Sequence, residues 1–370
     1  MVAVVATPRE AFWAFGAHAA LVATAAAIGR LPPGFLARRL LIEVPFLLFA
    51  VFLPFFGRGE RVEVLGVALS QEGLWAAWNV VAKATLGTAA SVILAATTPV
   101  PDLLKAFGRL HFPRVLVAMM GFMVRYLDVV IGELGRMRIA LQSRAYHPRR
   151  FGEARALGAV AGTLFVRSYE RGERVYLAMA ARGYDDRRVP LAGLVAAFVF
   201  AAQMVNFPVA AGTTGHFLGG VLAAVLVGPW LGSLALTVVL VVQGVFFADG
   251  GLTALGLNVF NMAIVGTLGG YLLYRGMIAL LPKTRPATVA AAGVAAGLAV
   301  PLAALSFVLE YAVGGAGGAS VGTVATAMGS VHLLIGVGEG LITALVVGSV
   351  LATRPDLVAE APKVEVMVHG

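Results

Sequence analysis

Residues 287–309 read ATVAAAGVAAGLAVPLAALSFVL and contain no charged side chain. An α-helix rises about 1.5 Å per residue, so about 20 apolar residues are enough to cross the hydrocarbon core of a bilayer. The stretch therefore predicts a membrane-spanning helix. Apolar stretches of similar length recur along the chain, so this pattern also indicates the fold class.

Apolar runs near spanning length occur at eight further places, about 11–29, 40–56, 74–97, 190–207, 213–229, 231–248, 255–274 and 330–352. Hydrophobic residues make up 59% of the 370 residues, which is above the share in soluble domains, and charged residues only 13%. The sequence predicts an all-α, polytopic membrane protein with about nine transmembrane helices and the lipid bilayer as its solvent. Signal and transit peptides do not repeat in this way.

The charges between these runs predict the orientation. Arginines 30, 38 and 39 follow the first run, whereas Glu60, Glu63 and Glu72 outnumber the arginines after the second. The positive-inside rule then predicts an external N-terminus and a cytoplasmic C-terminus. By the same alternation residues 98–189 are cytoplasmic, and their many arginines account for much of the net charge of +9. The positive-inside rule explains this concentration of arginines, so the charge does not indicate nucleic-acid binding.

Residues 112–135 are also apolar but contain Arg125, Asp128 and Glu133. A charge at the bilayer centre costs about 3 kcal/mol or more, so this stretch is expected to form an amphipathic helix at the membrane surface. The charge density falls sharply near Pro190, where a module boundary is predicted. Most glycines beyond it are expected to serve close helix packing.

The cytoplasmic stretch contains two similar triplets, Ser143-Arg144-Ala145 and Ala181-Arg182-Gly183, each at the end of a predicted helix. A guanidinium at a helix end can satisfy terminal carbonyls or bind the carboxylates of a partner. A single triplet of this kind is more often a solvated helix end. Two of them favour a docking function.

These triplets, TTPVPDLLKAF (97–107) and FMVRYLDVVIGELGRMRIALQSRAY (122–146) resemble the CbiQ-type coupling component of cobalt and nickel energy-coupling factor transporters, over about residues 1–185. In that family the two triplets end helices that dock into a pair of cytoplasmic ATPases. The resemblance implies this role for Arg144 and Arg182, with their small neighbours allowing close approach.

Residues 189–355 resemble the CbiM-type substrate-capture component of the same transporters, in the four strings FVFAAQMVNFPV (198–209), GTTGHFLGG (212–220), FFADGGLTALGLNVFNM (246–262) and HLLIGVGEGLITAL (332–345). The chain thus resembles a fused coupling and capture subunit. The expected modules are 1–188, with coupling helices at about 99–185, then 189–355, and a polar cytoplasmic tail at 356–370.

His216 follows a Gly-Thr-Thr-Gly turn, and its imidazole is a suitable ligand for Co²⁺ or Ni²⁺. Asp249 and His332 are predicted near the same membrane face, with Glu339 two turns deeper. For these three the alternative of a turn residue, an interfacial residue and a buried hydrogen-bonding partner is preferred. The resemblance assigns only His216 to the family's metal site. With no cysteine in the chain, thiolate ligands are excluded.

The resemblance also predicts a defect. The capture family begins with Met-His-Ile, and its terminal amine, the next backbone nitrogen and that histidine bind the metal together with the histidine matched by His216. Here the capture half begins inside the chain, so those nitrogens are expected to be absent. The first capture helix, the opening of the coupling component and the span after its second triplet are expected to be missing too, with the junction at ARGYDDRRVPLAG (181–193).

Catalytic motifs are absent from the sequence. None of the four lysines stands in a P-loop, and no His-Glu-x-x-His, Gly-x-Ser-x-Gly or dinucleotide motif occurs in the required context. The chain is therefore predicted to be no enzyme on its own, with ATP hydrolysed by partner subunits. An intramembrane hydrolase that uses His332 and Glu339 with a bound metal is a further hypothesis, which is disfavoured because no third ligand is nearby in the sequence.

The leading hypothesis is a membrane subunit of an ATP-driven importer of cobalt or nickel ions in a prokaryotic plasma membrane, with the metal as cargo and no covalent cofactor. Its expected partners are cytoplasmic ATP-binding subunits, with a small accessory membrane subunit or a separate intact capture component as further candidates. The alternative is a noncatalytic coupling scaffold whose capture half is inactive.

Overall fold

The computed structural model describes nine stretches of the chain, namely residues 2–56, 59–64, 66–143, 154–183, 188–204, 206–208, 214–247, 254–314 and 320–358. These residues are mostly helical, so the prediction of an all-α, polytopic protein is confirmed. Six of the helices that they form are long and apolar enough to cross a membrane.

The first half consists of eight helices, a 3₁₀ turn and a hairpin. The helices are α1 (Val2–Ala6), α2 (Phe12–Ile28), α3 (Pro33–Leu40), α4 (Val44–Phe56), α5 (Gln71–Thr97), α6 (Val100–Arg109), α7 (Arg114–Ser143) and α8 (Ala154–Ala180), with the turn at Leu41–Glu43. Strands β1 (Arg61–Val64) and β2 (Val67–Ser70) form the antiparallel hairpin between α4 and α5. Ser70 caps α5, its hydroxyl accepting a hydrogen bond from the Gly73 amide at 3.1 Å.

The second half begins with α9 and a second antiparallel hairpin, and continues as a helical bundle. Its elements are α9 (Arg188–Gln203), β3 (Asn206–Pro208), β4 (Thr214–His216), α10 (Gly220–Val227), α11 (Pro229–Val242), α12 (Leu255–Asn258), α13 (Gly270–Leu280), α14 (Arg285–Gly314) and α15 (Val321–Thr353). Two π-helical segments, Gln243–Phe247 and Val259–Gly269, continue α11 and α12, and a 3₁₀ turn, Pro355–Leu357, follows α15.

The hairpin β3–β4 interrupts two of the predicted spans. Residues 190–207 are helical only as far as Gln203, and within residues 213–229 strand β4 precedes the eight-residue helix α10. These runs are apolar, but Pro208 and the glycine and threonine residues at positions 212–215 of the sequence disfavour a continuous helix here. The two spans expected at 11–29 and 40–56 are likewise shorter helices of 17 and 13 residues.

Helix α7 includes residues 112–135 only from Arg114 onward and continues to Ser143. It is 30 residues long and qualifies as a membrane span by length and composition. One face is buried against the protein, with Met119, Met120 and Met123 fully covered and Tyr126 1% exposed. Contacts with α9 cover part of its apolar face, and the prediction that this helix lies at the membrane surface stays a prediction.

Among the described elements, helices α14 and α15 make the most extensive contact with each other. Gly293 and Gly297 on α14 face Gly336 and Gly340 on α15 so closely that each backbone lies against the other helix. A Cβ atom placed on Gly340 would lie 2.7 Å from the carbonyl oxygen of Gly293. These glycines therefore permit close packing in a region where no hydrophobic drive brings helices together.

Candidate functional site

His216 is the last residue of β4, and this strand lies directly on α15. A Cβ atom on Gly215 would be 2.6 Å from Cδ1 of Ile335 and 3.2 Å from Nε2 of His332. A larger residue at position 215 would require the Ile335 side chain to shift. The structure therefore brings His216 and His332 into one region of the molecule, as the sequence predicted for the ends of their spans.

Each of the two imidazoles is oriented by a backbone carbonyl. Nδ1 of His216 lies 3.1 Å from the carbonyl oxygen of Phe217, and Nδ1 of His332 lies 2.8 Å from that of Met328. A carbonyl oxygen only accepts hydrogen bonds, so Nδ1 donates in both rings. In the neutral imidazole this leaves Nε2 as the unprotonated nitrogen, the form in which histidine binds metal ions.

Glu339 lies in the same region but serves the backbone. Its Oε2 accepts a hydrogen bond from the Leu218 amide at 3.0 Å, and its Oε1 accepts one from the Gly219 amide at 2.7 Å. The residue is 3% exposed. Glu339 thus holds the segment that follows His216 against α15, the arrangement of a buried hydrogen-bonding partner.

Two buried glutamines continue this network, and the sequence analysis did not identify them. Gln203 donates from Nε2 to the Leu218 carbonyl at 2.8 Å, and Gln243 donates from Nε2 to Oε1 of Gln203 at 3.0 Å. The signal was available, since a lone amide side chain inside an apolar run needs a buried partner. The chain of bonds from Gln243 to Glu339 joins α9, the π-helical end of α11 and α15.

The described residues contain no group of three or more histidine, aspartate or glutamate side chains that is placed to hold a metal ion. Asp249 lies outside the described residues. His216 and His332 carry imidazole nitrogens, a type of ligand that suits Co²⁺ or Ni²⁺. Both oxygens of Glu339 are already bonded to backbone amides.

The structure describes the second arginine triplet in full and only Ser143 of the first. Ser143 is the last residue of α7, and its hydroxyl donates to the Ile139 carbonyl at 2.9 Å, whereas Arg144 and Ala145 lie outside the described residues. After α8 the triplet Ala181-Arg182-Gly183 forms an exposed turn in which Gly183 has a φ of +90°. Glycine adopts this conformation without steric cost, so the turn can end the helix and leave Arg182 at its tip.

Two family models together match most of the chain. Residues 1–191 match the CbiQ family, described as a cobalt transport protein. Residues 172–357 match the CbiM family, described as a cobalt uptake substrate-specific transmembrane region. The two matches overlap at residues 172–191, which include the last third of α8 and the start of α9.

Three relatives illustrate the similarity. A protein of Archaeoglobus fulgidus, provisionally named fused nickel transport protein NikMN, is 43% identical over 190 residues, which are 50% of this chain and 62% of that protein. The fused nickel transport protein NikMN of Rhodobacter capsulatus is 37% identical over 48% of this chain and 55% of its own length. The cobalt transport protein CbiM of Sorangium cellulosum is 38% identical over 45% of this chain and 75% of its own length.

Proposed function

Because this chain belongs to the CbiQ family through its first half and to the CbiM family through its second, we propose that it is a membrane subunit of an ATP-driven importer of cobalt or nickel ions. In this proposal Arg144 and Arg182 dock cytoplasmic ATP-binding subunits, and the metal is captured near His216. The N-terminus is external and the C-terminus cytoplasmic. The coupling module comprises residues 1–188, the capture module 189–355, and a polar tail 356–370.

The observation that best supports this proposal is the position of α8. Its last turn leads into Arg182, and the helix packs against α15, which carries His332 and Glu339. A force applied at the arginine triplet thus acts on a helix that packs against α15, the helix that carries His332 and Glu339. Such a route is what coupling of ATP hydrolysis to metal uptake requires.

The docking role of the triplets predicts a loss of partner binding. When the chain is affinity-purified from its native host, the Arg144→Ala/Arg182→Ala variant should retain less than about a tenth of the ATP-binding subunits that the unsubstituted chain retains. Each substitution removes a guanidinium and with it a charge-assisted contact to these subunits. The control is Arg109→Ala, at the exposed end of α6. Equal recovery of ATP-binding subunits with both variants would show that the triplets are only solvated helix ends.

The capture role predicts binding of Co²⁺ or Ni²⁺ to the purified chain, measured by calorimetry in detergent. His216→Ala should weaken the affinity at least about tenfold, and His332→Ala by a similar factor, because each removes a nitrogen ligand. His111→Asn replaces an exposed histidine outside the site, at a φ of +60° that asparagine tolerates, and should leave the affinity unchanged.

A second candidate function is a coupling scaffold whose capture half is inactive, with the metal bound by a separate capture component. The finding that favours it is the two-histidine ligand set, since the described part of the chain offers no third side chain for a metal ion. Recovery of ATP-binding subunits without any metal binding by the unsubstituted chain would support this second function over the first.

A further inference from the structure

Helix α8 contacts the rest of the coupling half through α7. The hydroxyl of Tyr126, on α7, donates a hydrogen bond to the Gly172 carbonyl at 3.5 Å. A Cβ atom on Gly172 would lie 3.3 Å from that hydroxyl oxygen, so the two helices are in close contact here. Tyr126 is 1% exposed, which makes this a buried contact.

The same helix contacts the capture half through α9 and α15. Phe165 packs edge to face against Phe198 of α9, with ring centroids 5.5 Å apart and an angle of 89°. About one turn earlier, a Cβ atom on Gly162 would overlap the side chain of Ser349 on α15. Residues on three sides of α8 are consequently buried, among them Leu164, Phe165, Val166, Ser168 and Tyr169.

An ion pair holds α8 to the end of α15. Nη1 of Arg354 donates to Oε2 of Glu173 at 3.1 Å, and these side chains are 26% and 28% exposed. The guanidinium also lies over the ring of Tyr169, with 5.1 Å from Cζ to the centroid. Glu173 and Tyr169 are one helical turn apart on α8. Arg354, at the end of α15, therefore contacts two residues of α8.

Arg354 has a second acidic partner on its own side of the contact. Its Nε and Nη2 donate to the two carboxylate oxygens of Asp356, at 3.0 and 2.9 Å. These bonds, with that to Glu173, raise the pKa of Arg354 further above its usual value, so the guanidinium stays charged at every physiological pH. Asp356 orients the arginine within its own turn, whereas Glu173 connects it to another helix.

We propose that α8 is shared by the two halves and that the Arg354–Glu173 pair positions α15 on it, so that movement of α8 at Arg182 is transmitted to the capture half. This inference rests on the proposed function. It goes further than that function, because it assigns the transmission of movement to the contact between Glu173 of α8 and Arg354 at the end of α15. Arg354 and Glu173 are positioning residues, since neither touches the metal site or the docking turn.

The test uses the complex of the chain with its ATP-binding subunits, purified from the native host and placed in liposomes, with Co²⁺ as cargo and Mg-ATP as fuel. Glu173→Gln removes the pair between the helices and leaves Arg354 bonded to Asp356. We expect at least about a fivefold fall in Co²⁺ ions taken up per ATP hydrolysed, the lower end of ordinary coupling between sites. ATP hydrolysis and binding of the ATP-binding subunits should be retained.

Asp356→Asn is the matched control, since it removes a carboxylate from the same arginine but leaves the contact between the helices. It should keep uptake per ATP within about twofold of the unsubstituted chain. An unchanged ratio in Glu173→Gln, or an equal fall in both variants, would overturn the inference. If the unsubstituted chain brings down no ATP-binding subunits or drives no uptake, the proposed function itself fails and the inference falls with it.

A second measurement follows the helices directly. The chain has no cysteine, so Leu177→Cys and Leu341→Cys, both exposed positions, accept exactly two spin labels. With Glu173 present, the distance between the labels should be the same without nucleotide and with bound ATP, because α8 and α15 move together. With Glu173→Gln it should change or broaden. A change of this distance in the chain that retains Glu173 would show that the helices separate, and would overturn the inference.

Discussion

Replacing Glu339 with alanine is expected to lower the free energy of unfolding by about 3 to 5 kcal/mol, the largest effect of any single side chain in the candidate site. The substitution leaves the amides of Leu218 and Gly219 without the two oxygens that they now bond, at a position 3% exposed. Each buried unsatisfied amide costs about 1 to 3 kcal/mol, and the lost side-chain volume adds to this. Thermal unfolding of the purified chain in detergent, followed by circular dichroism, would measure the loss.

Two further variants separate the network from burial alone. Thr343→Ala changes a buried polar residue one turn along α15, 1% exposed, and should cost much less than Glu339→Ala. Glu339→Gln keeps one oxygen that can accept a hydrogen bond and should give an intermediate loss. An equal effect of Glu339→Ala and Thr343→Ala would mean that the bonds to the segment after His216 contribute little.

Replacing Gly340 with leucine is expected to destabilise the protein by about 3 kcal/mol or more, through a different mechanism. At this position α15 lies against the backbone of α14, and a Cβ atom would already be 2.7 Å from the Gly293 carbonyl oxygen. A backbone cannot move aside as the end of a flexible side chain can. The two helices must therefore separate along their whole contact, which should lower the yield of folded protein and its thermal unfolding temperature in detergent.

The matched control is Gly329→Leu on the same helix. No atom lies within 4 Å of a Cβ placed on Gly329, so the added side chain meets open space and the helical propensity improves. Its unfolding temperature should stay near that of the unsubstituted chain. Comparable losses in the two variants would show that the α14–α15 crossing tolerates separation, contrary to the packing described above.

The candidate site shows where prediction from sequence was limited. His216 and His332 could be placed near each other, because helices of known length bring their ends to predictable levels. The bonds from Glu339 to the Leu218 and Gly219 amides could not be anticipated, since they join residues about 120 positions apart. Pairing of this kind depends on which face of α15 meets the segment after β4.

The apolar runs by themselves determined that the chain is helical and belongs in a bilayer, because buried backbone groups in lipid must be satisfied within each helix. The strings around the triplets and His216 likewise identified both families. Only the tertiary structure decided that β3–β4 interrupts two runs, that α7 joins the bundle and that α8 lies between the halves. Helix formation is local, whereas the choice of neighbours depends on where glycines such as Gly162 and Gly336 let distant backbones meet.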